Sequence, residues 1–191
     1  MGRDMATRTG LLTADEYLAR VQRTHEFSEL VGGEIRPMSP AGARHNIIAV
    51  NLVVALTLYL RDHPIGRAFT DNAGFRLPIP DAEDDTVRSP AAAFVSFERM
   101  RDVPVGFAPV APDLAVEVLS PGDTVRDLDE RMDDYFAAGT RAVWVIDPDR
   151  RTVAQHATTA PTRRLRERDT LDGADVVPGF TMPVRALFDG L

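Results

Sequence analysis

The chain of 191 residues contains no cysteine and no lysine. Without cysteine it can form no disulfide, no thiolate nucleophile and no cysteine-ligated metal site. Because all 22 residues counted as lysine or arginine are arginine, any mechanism that needs a lysine of this chain is excluded. The net charge of −7 gives no broad basic surface for nucleic acid. An arginine cluster at residues 163–168 predicts either a small basic patch or, more simply, a solvated strand or loop face.

Long apolar runs are also scarce. The longest, residues 47–60, contains Asn51 and Thr57 and is short for a bilayer, so it predicts a buried helix. The first ten residues are polar, are expected to be flexible and show no apolar core of a signal peptide. We therefore expect a cytoplasmic protein without a membrane partner, with which the lack of cysteine agrees.

Capping residues, glycines and apolar periodicity predict alternating helices and strands. Thr13 and Glu16 form a capping-box pattern at the start of the first helix, and Gly139 is placed to end the third. Helices are predicted at residues 13–21, 44–60 and 125–138. A hairpin is predicted at residues 27–38, and strands at residues 67–80, 91–95, 112–121, 141–146 and 152–156. This order predicts one α/β (α+β) domain over residues 1–191 with a mixed β-sheet.

The segment PDLAVEVLSP, residues 112–121, is a short apolar strand that nevertheless carries Asp113 and Glu117. Side chains alternate along a strand, so the two carboxylates share one face. Burying a carboxylate is costly unless it is paired, hydrogen-bonded or bound to a metal. Glu117 must therefore have a partner, and it is the main candidate for a functional residue.

Three segments together resemble one known family: PDLAVEVLSP, a helix ending in YFAAGT, and RAVWVIDPDRRTV. They are similar to the Uma-two family of restriction-endonuclease-like proteins, within the PD-(D/E)xK nuclease superfamily. The segments GGEIRPMSPAGARH, SPAAAFVS and DVVPGFTMPVRALF resemble further parts of that family, so the likeness covers nearly the whole chain. It implies a restriction-endonuclease-like fold, a homodimer, DNA as substrate, and Mg²⁺ or Mn²⁺ held by carboxylates on adjacent strands.

The same resemblance assigns roles to individual residues. Glu117 matches the glutamate of the E-x-K position and would bind the metal. Arg131 matches the position of the family's lysine on the following helix, and His45 matches a histidine that recurs at the start of the long helix. Two positions depart from the pattern: Ala91 replaces the aspartate of the neighbouring strand, and Leu119 stands at the lysine position of E-x-K.

Several roles stay open at this point. Asp113 would be a second metal ligand only if the strand bends sharply, because four residues span about 13 Å; otherwise it accepts backbone hydrogen bonds at the strand entry. Arg131 either stabilises phosphoryl charge or pairs with Glu117 or Asp127, but it stays protonated and is a poor general base. His45 either assists proton transfer or phosphate binding, or is structural.

Two functions follow from these alternatives. The first is a metal-dependent endonuclease with Glu117 and Asp113 as metal ligands and Arg131 in place of lysine. The second is a catalytically degenerate member that keeps the fold and the dimer and acts as a binding or structural module. A glycosidase is disfavoured, because about 13 Å between Asp113 and Glu117 exceeds the ~5–9.5 Å that paired carboxylates of glycosidases use.

Overall fold

The structure, a computed structural model, describes residues 10–191. The predicted flexibility of the first ten residues concerns positions outside this range, apart from Gly10. The helices are α1 (Ala14–Thr24), α2 (Ala43–Asp62), α3 (Val125–Ala137) and the 3₁₀ helix η1 (Val184–Phe188). The strands are β1 (Ser28–Val31), β2 (Glu34–Pro37), β3 (Gly66–Thr70), β4 (Phe75–Arg76), β5 (Val87–Arg88), β6 (Ala92–Ser96), β7 (Leu114–Val118), β8 (Ala142–Asp147), β9 (Thr152–Ala157), β10 (Arg163–Arg166), β11 (Thr170–Asp172) and β12 (Thr181–Pro183).

A six-stranded mixed sheet, in the order β10-β9-β8-β7-β6-β3, forms the centre of the structure. Strands β7 and β8 are parallel, because α3 connects them as a crossover helix, while the other neighbours are antiparallel. A second sheet has the order β2-β1-β5-β4, and β11 pairs with β12. The predicted α+β class with a mixed sheet is confirmed; the prediction of one domain over residues 1–191 stays a prediction.

The two faces of the central sheet carry different cores. On one face α2 and the C-terminal segment cover Val116 and Trp144, and Trp144 is thereby placed in the core. On the other face Tyr135 of α3 packs against the small side chains of Ala93 and Ala115. This alternation makes Glu117 the one charged side chain of β7, directed toward α3. The position of Glu117 therefore follows from the strand pattern that buries Leu114, Val116 and Val118 on the α2 side.

A β-hairpin joins the second sheet to this region. Strands β1 and β2 pair with Gly32 and Gly33 in the turn, both at positive φ (54° and 77°), as the predicted hairpin requires. Strand β1 also pairs with β5 through Leu30 and Val87. Glu29 and Arg88 follow at the next step of this pairing, and both are buried.

The helix α2 is less buried than its sequence predicted. One face packs on the sheet through Leu52 and Leu56, but Val50, Val54 and Leu58 on the opposite face are 54%, 51% and 54% exposed. By length and composition alone α2 is able to cross a membrane, a test that the core helix of a soluble protein also passes. The predicted burial of this helix against the sheet is thus found on one face, and the opposite face is exposed, because an apolar sequence on every side does not require a partner on every side.

The N-terminal cap of α3 is expected to contribute measurably to stability. Thr124 accepts a hydrogen bond from the Asp127 backbone N–H at 3.1 Å, in a capping box. We expect Thr124→Ala to lower the free energy of unfolding by about 1 kcal/mol in urea denaturation. Thr159→Ala, at an exposed loop position, is the control and should leave the stability unchanged within about 0.5 kcal/mol. Equal stability of Thr124→Ala and the wild type would contradict this role of the cap.

Candidate functional site

A cleft of about 1260 Å³ opens where the start of α2, the end of β7, α3 and the β8–β9 turn meet. Its lining includes Glu29, Arg88, Glu117, Arg131 and His45. Of the residues predicted as a site, the structure thus brings together Glu117, Arg131 and His45.

Glu117 lies at the bottom of this cleft, and 8% of the residue is exposed. Its Oε1 accepts a hydrogen bond from the Tyr135 hydroxyl at 2.9 Å, and its Oε2 lies 3.6 Å from Arg131 Nη1. Tyr135 is itself fully buried on α3. Both carboxylate oxygens are therefore occupied by groups of the same helix.

Burial dominates the titration of this carboxyl group. It raises the pKa of Glu117 to about 7, although Arg131 and the Tyr135 hydroxyl act in the opposite direction. Near neutral pH the group consequently exists in both its protonated and its ionised form.

Arg131 stands among three carboxylates. Its guanidinium lies 3.6 Å from Glu117, 3.3 Å from Asp123 and 4.0 Å from Glu29. Although burial lowers the pKa of Arg131, the carboxylates raise it above its usual value, so the cation is permanent. A fixed positive charge thus occupies the centre of the acidic part of the cleft.

Glu29 and Arg88 form a second, more deeply buried pair. Arg88 Nη1 donates to Glu29 Oε2 at 2.8 Å, and the Ser89 backbone N–H donates to Glu29 Oε1 at 2.8 Å. Arg88 also donates to Asp134 Oδ2 from Nε at 2.8 Å and from Nη2 at 2.6 Å. Because Asp134 belongs to α3, this pair ties the hairpin and β5 to the helix that carries Arg131.

Sequence reasoning missed Glu29 and Arg88. Glu34, in the same hairpin, is exposed and forms an ion pair with Arg36. The sequence signal for Glu29 is a charged residue within a short predicted strand, directly before the apolar Leu30. Arg88 lies on a two-residue strand, which is too short for any periodicity.

Asp113 is not brought together with Glu117. It precedes β7, where its Oδ2 accepts from the Ser96 backbone N–H at 2.7 Å and its Oδ1 lies 3.1 Å from Arg99 Nε. These contacts hold Asp113 at the opposite end of the strand, outside the lining of the cleft. The reading of Asp113 as a metal ligand beside Glu117 is therefore corrected: it is a buried hydrogen-bond acceptor at the strand entry.

The remaining candidates are placed as follows. His45 lines the cleft, and its Nδ1 is buried without a hydrogen-bond partner among residues 10–191. Burial lowers the pKa of His45, which favours the neutral imidazole at neutral pH. Asp85 pairs with Arg76 and accepts a hydrogen bond from the Ala14 backbone N–H in the first turn of α1, and it does not line the cleft.

The residues present do not fit a divalent metal. The antiparallel register pairs Ala92 with Val116, so Ala91 takes the place beside Glu117 where a second carboxylate would stand. No group of three or more histidine, aspartate or glutamate residues in the described part of the chain is arranged to hold a metal ion. Asp123 is a second carboxylate near Glu117, but Arg131 Nη1 lies 3.3 Å from Asp123 and 3.6 Å from Glu117, so the guanidinium already contacts both. We therefore assign no metal-dependent step to this cleft.

A mixed sheet between two helical layers, with a glutamate and a helix-borne cation at the end of a central strand, defines a nuclease-like fold. A crystal structure with this fold is that of a putative nuclease belonging to DUF820 from Anabaena variabilis ATCC 29413, with a TM-score of 0.76. The match covers 93% of this chain and 97% of that chain at 21% identity. At this identity the match shows a shared fold.

The sequence profile of the Uma2 family, "Putative restriction endonuclease", matches residues 14–185, and the chain belongs to this family. The resemblance found in the sequence is thereby confirmed. An uncharacterized protein of Synechocystis sp. (strain ATCC 27184 / PCC 6803 / Kazusa) is 32% identical over 127 residues, or 66% of this chain and 69% of that protein.

The raised pKa of Glu117 predicts a pH-dependent stability. Folding raises this pKa from 4.5 to about 7, so the contribution of Glu117 is fully favourable below pH 4.5 and is lost as the pH rises through about 7. Glu117→Gln removes this titration. Relative to the wild type, the variant should gain about 2–3 kcal/mol in free energy of unfolding between pH 4.5 and pH 8.

Urea denaturation of the two proteins at several pH values measures this gain. Glu98→Gln, at an exposed carboxyl outside the cleft, controls for the exchange of carboxyl for amide. A difference between Glu117→Gln and the wild type that stays constant with pH would show that the Glu117 carboxyl is not held partly protonated.

Proposed function

We propose that this nuclease-family protein binds a phosphodiester of nucleic acid, with DNA as the expected partner, in the cleft around Glu117 and Arg131. We further propose that magnesium-dependent hydrolysis has been lost, which makes it a binding member of its family. The observation that carries the loss of the metal is the position of the Arg131 guanidinium among Glu117, Asp123 and Glu29. It supplies the positive charge there without an exchangeable ion.

The start of α2 supports phosphate binding. The helix has 20 residues, its N-cap Gly42 offers no side-chain hydrogen bond, and its first turn contains no acidic residue. The N–H groups of the first turn and the helix dipole therefore favour an anion. Gly42, Ala43, Arg44 and His45 all line the cleft, and the unpartnered Nδ1 of His45 offers a further polar contact.

A metal-dependent endonuclease is the second candidate. It is favoured by the glutamate of the family motif, which is retained at the bottom of an open cleft, and by membership of the family itself. It requires a second metal ligand, for which the neighbouring strand offers only the methyl group of Ala91. Arg131 cannot take over the role of a general base, because its guanidinium does not release a proton near neutral pH.

Plasmid DNA distinguishes the two candidates. With Mg²⁺ or Mn²⁺ we expect the wild type to bind supercoiled plasmid but to nick it no faster than Glu117→Ala, within twofold. The double variant Ala91→Asp with Arg131→Lys restores the family pattern and should gain metal-dependent cleavage. Adding Glu117→Ala to this double variant is the matched control and should abolish that cleavage.

Two results would contradict this assignment. Cleavage by the wild type that Glu117→Ala abolishes would establish the endonuclease instead. Failure of the wild type to bind plasmid or oligonucleotide at low salt would remove the nucleic-acid function altogether.

We also propose a homodimer in which the exposed face of α2 packs against a second copy of itself. Val50, Val54 and Leu58 follow one another at four-residue spacing and form an apolar stripe along this face. A stripe on a single helix is self-complementary about a two-fold axis, as closed dimers require.

A charge in this stripe is expected to separate the protomers. Light scattering after gel filtration should give twice the mass of the chain for the wild type and the mass of one chain for Val54→Asp, because an unpaired carboxylate is costly at an apolar interface. Val105→Asp, at a fully exposed apolar residue in a loop, is the control and should remain dimeric. A monomeric wild type, or a dimeric Val54→Asp, would contradict the proposed interface.

A further inference from the structure

The arginines of the cleft are neutralised by carboxylates. Arg88 is held by Glu29 and Asp134, and Arg131 lies among its three acidic neighbours. The other arginines that line the cleft form ion pairs of 2.9–3.4 Å: Arg36 with Glu34, Arg44 with Asp149 and Arg150 with Asp147. The cleft therefore has little free positive charge with which to hold a nucleic acid over more than one phosphate.

Uncompensated arginines lie further along the same face of the sheet. The pairing of neighbouring strands aligns Glu117 with Val145, Val145 with Ala154, and Ala154 with Arg164. Residues aligned in this way project from the same face. Arg164 therefore shares the face of Glu117, three strands away, on the edge strand β10.

Arg166 continues this row. It is aligned with Thr152, which pairs with Asp147 at the rim of the cleft. Leu165, between the two arginines, points into the core on the other face. Arg164 and Arg166 are exposed, and neither side chain forms an ion pair with a carboxylate within residues 10–191.

The nearest acidic residues in sequence are occupied by other groups. Glu167 pairs with Arg151 at 2.6 Å, and Asp169 accepts a hydrogen bond from the Arg166 backbone N–H rather than from its guanidinium. The guanidinium groups of Arg164 and Arg166 are thus available to an external anion.

We infer that Arg164 and Arg166 bind phosphates of a nucleic acid strand that leaves the cleft past the turn between β8 and β9, at Asp147 and Thr152, and then reaches β10. Further along β8 this face is closed, because α3 covers Val145. This inference rests on the proposed function and adds the path of the bound strand. Three spacings of about 4.8 Å place the Arg164 position about 14 Å from Glu117. At ~3.4 Å of rise per nucleotide this is a distance of about four nucleotides. The two arginines, two residues apart on one strand face, are spaced by about 6.6 Å and meet separate phosphates.

Arginines on an edge strand such as β10 also have a simpler role. Charged side chains on an edge strand also prevent pairing with other chains, and that role requires only charge and solvent. The two roles make different predictions for the two faces of the sheet. Only a phosphate path makes nucleic-acid binding depend more on Arg164 and Arg166 than on arginines of the other face.

A labelled 20-base-pair DNA duplex, titrated by fluorescence anisotropy between 50 and 200 mM salt, tests this difference. Arg164→Ala with Arg166→Ala should weaken binding at least about tenfold near 0.1 M salt and lower the slope of log K against log salt by about two. The matched control is Arg163→Ala with Arg185→Ala. It removes the same charge, but Arg163 faces the other side of β10 beside Asp172, and Arg185 lies on η1. The control should bind within twofold of the wild type.

Each other result overturns the inference. Equal losses in the two double variants would mean that only net charge matters, and wild-type binding in both would leave the arginines with the edge-strand role. A wild type that binds no duplex even at 50 mM salt would overturn the phosphate path together with the proposed function, whereas the first two results overturn the path alone.

Discussion

The balance of charge between β7 and α3 is the constraint on which the rest of the site depends. Glu29, Glu117 and Asp134 are removed from water to different degrees, and Arg88 and Arg131 are the cations that compensate them. Removing one partner of a buried ion pair typically costs about 3–5 kcal/mol, because the other charge is left uncompensated. The hairpin, β5 and α3 are therefore held in register by ionic contacts as well as by apolar packing.

This constraint also sets the chemistry of the cleft. A metal ion would bring two exchangeable positive charges to Glu117, whereas Arg131 brings one permanent charge that depends neither on metal concentration nor on pH. That single charge does not fully offset burial, which is why the pKa of Glu117 rises to about 7. The cleft thereby presents a cation that is already in place beside Glu117.

Much of the fold follows from local sequence, and less of the site does. The capping box at Thr13 and the stop at Gly139 predict helices whose bounds lie close to those observed, because these contacts are made within a few residues. The Glu29–Arg88 pair joins residues 59 positions apart, and no local pattern encodes it. The exposed face of α2 was missed for a similar reason, since composition does not reveal whether a neighbour is present.

If Arg131 replaces a metal ion at Glu117, calorimetric titration of the wild type with Mg²⁺ and Mn²⁺ should show no saturable binding at millimolar metal. The wild type and Glu117→Ala should therefore not differ in this titration. Binding of one ion per chain that Glu117→Ala abolishes would contradict this replacement, because a site that accepts a cation beside Arg131 cannot already be neutralised by that residue.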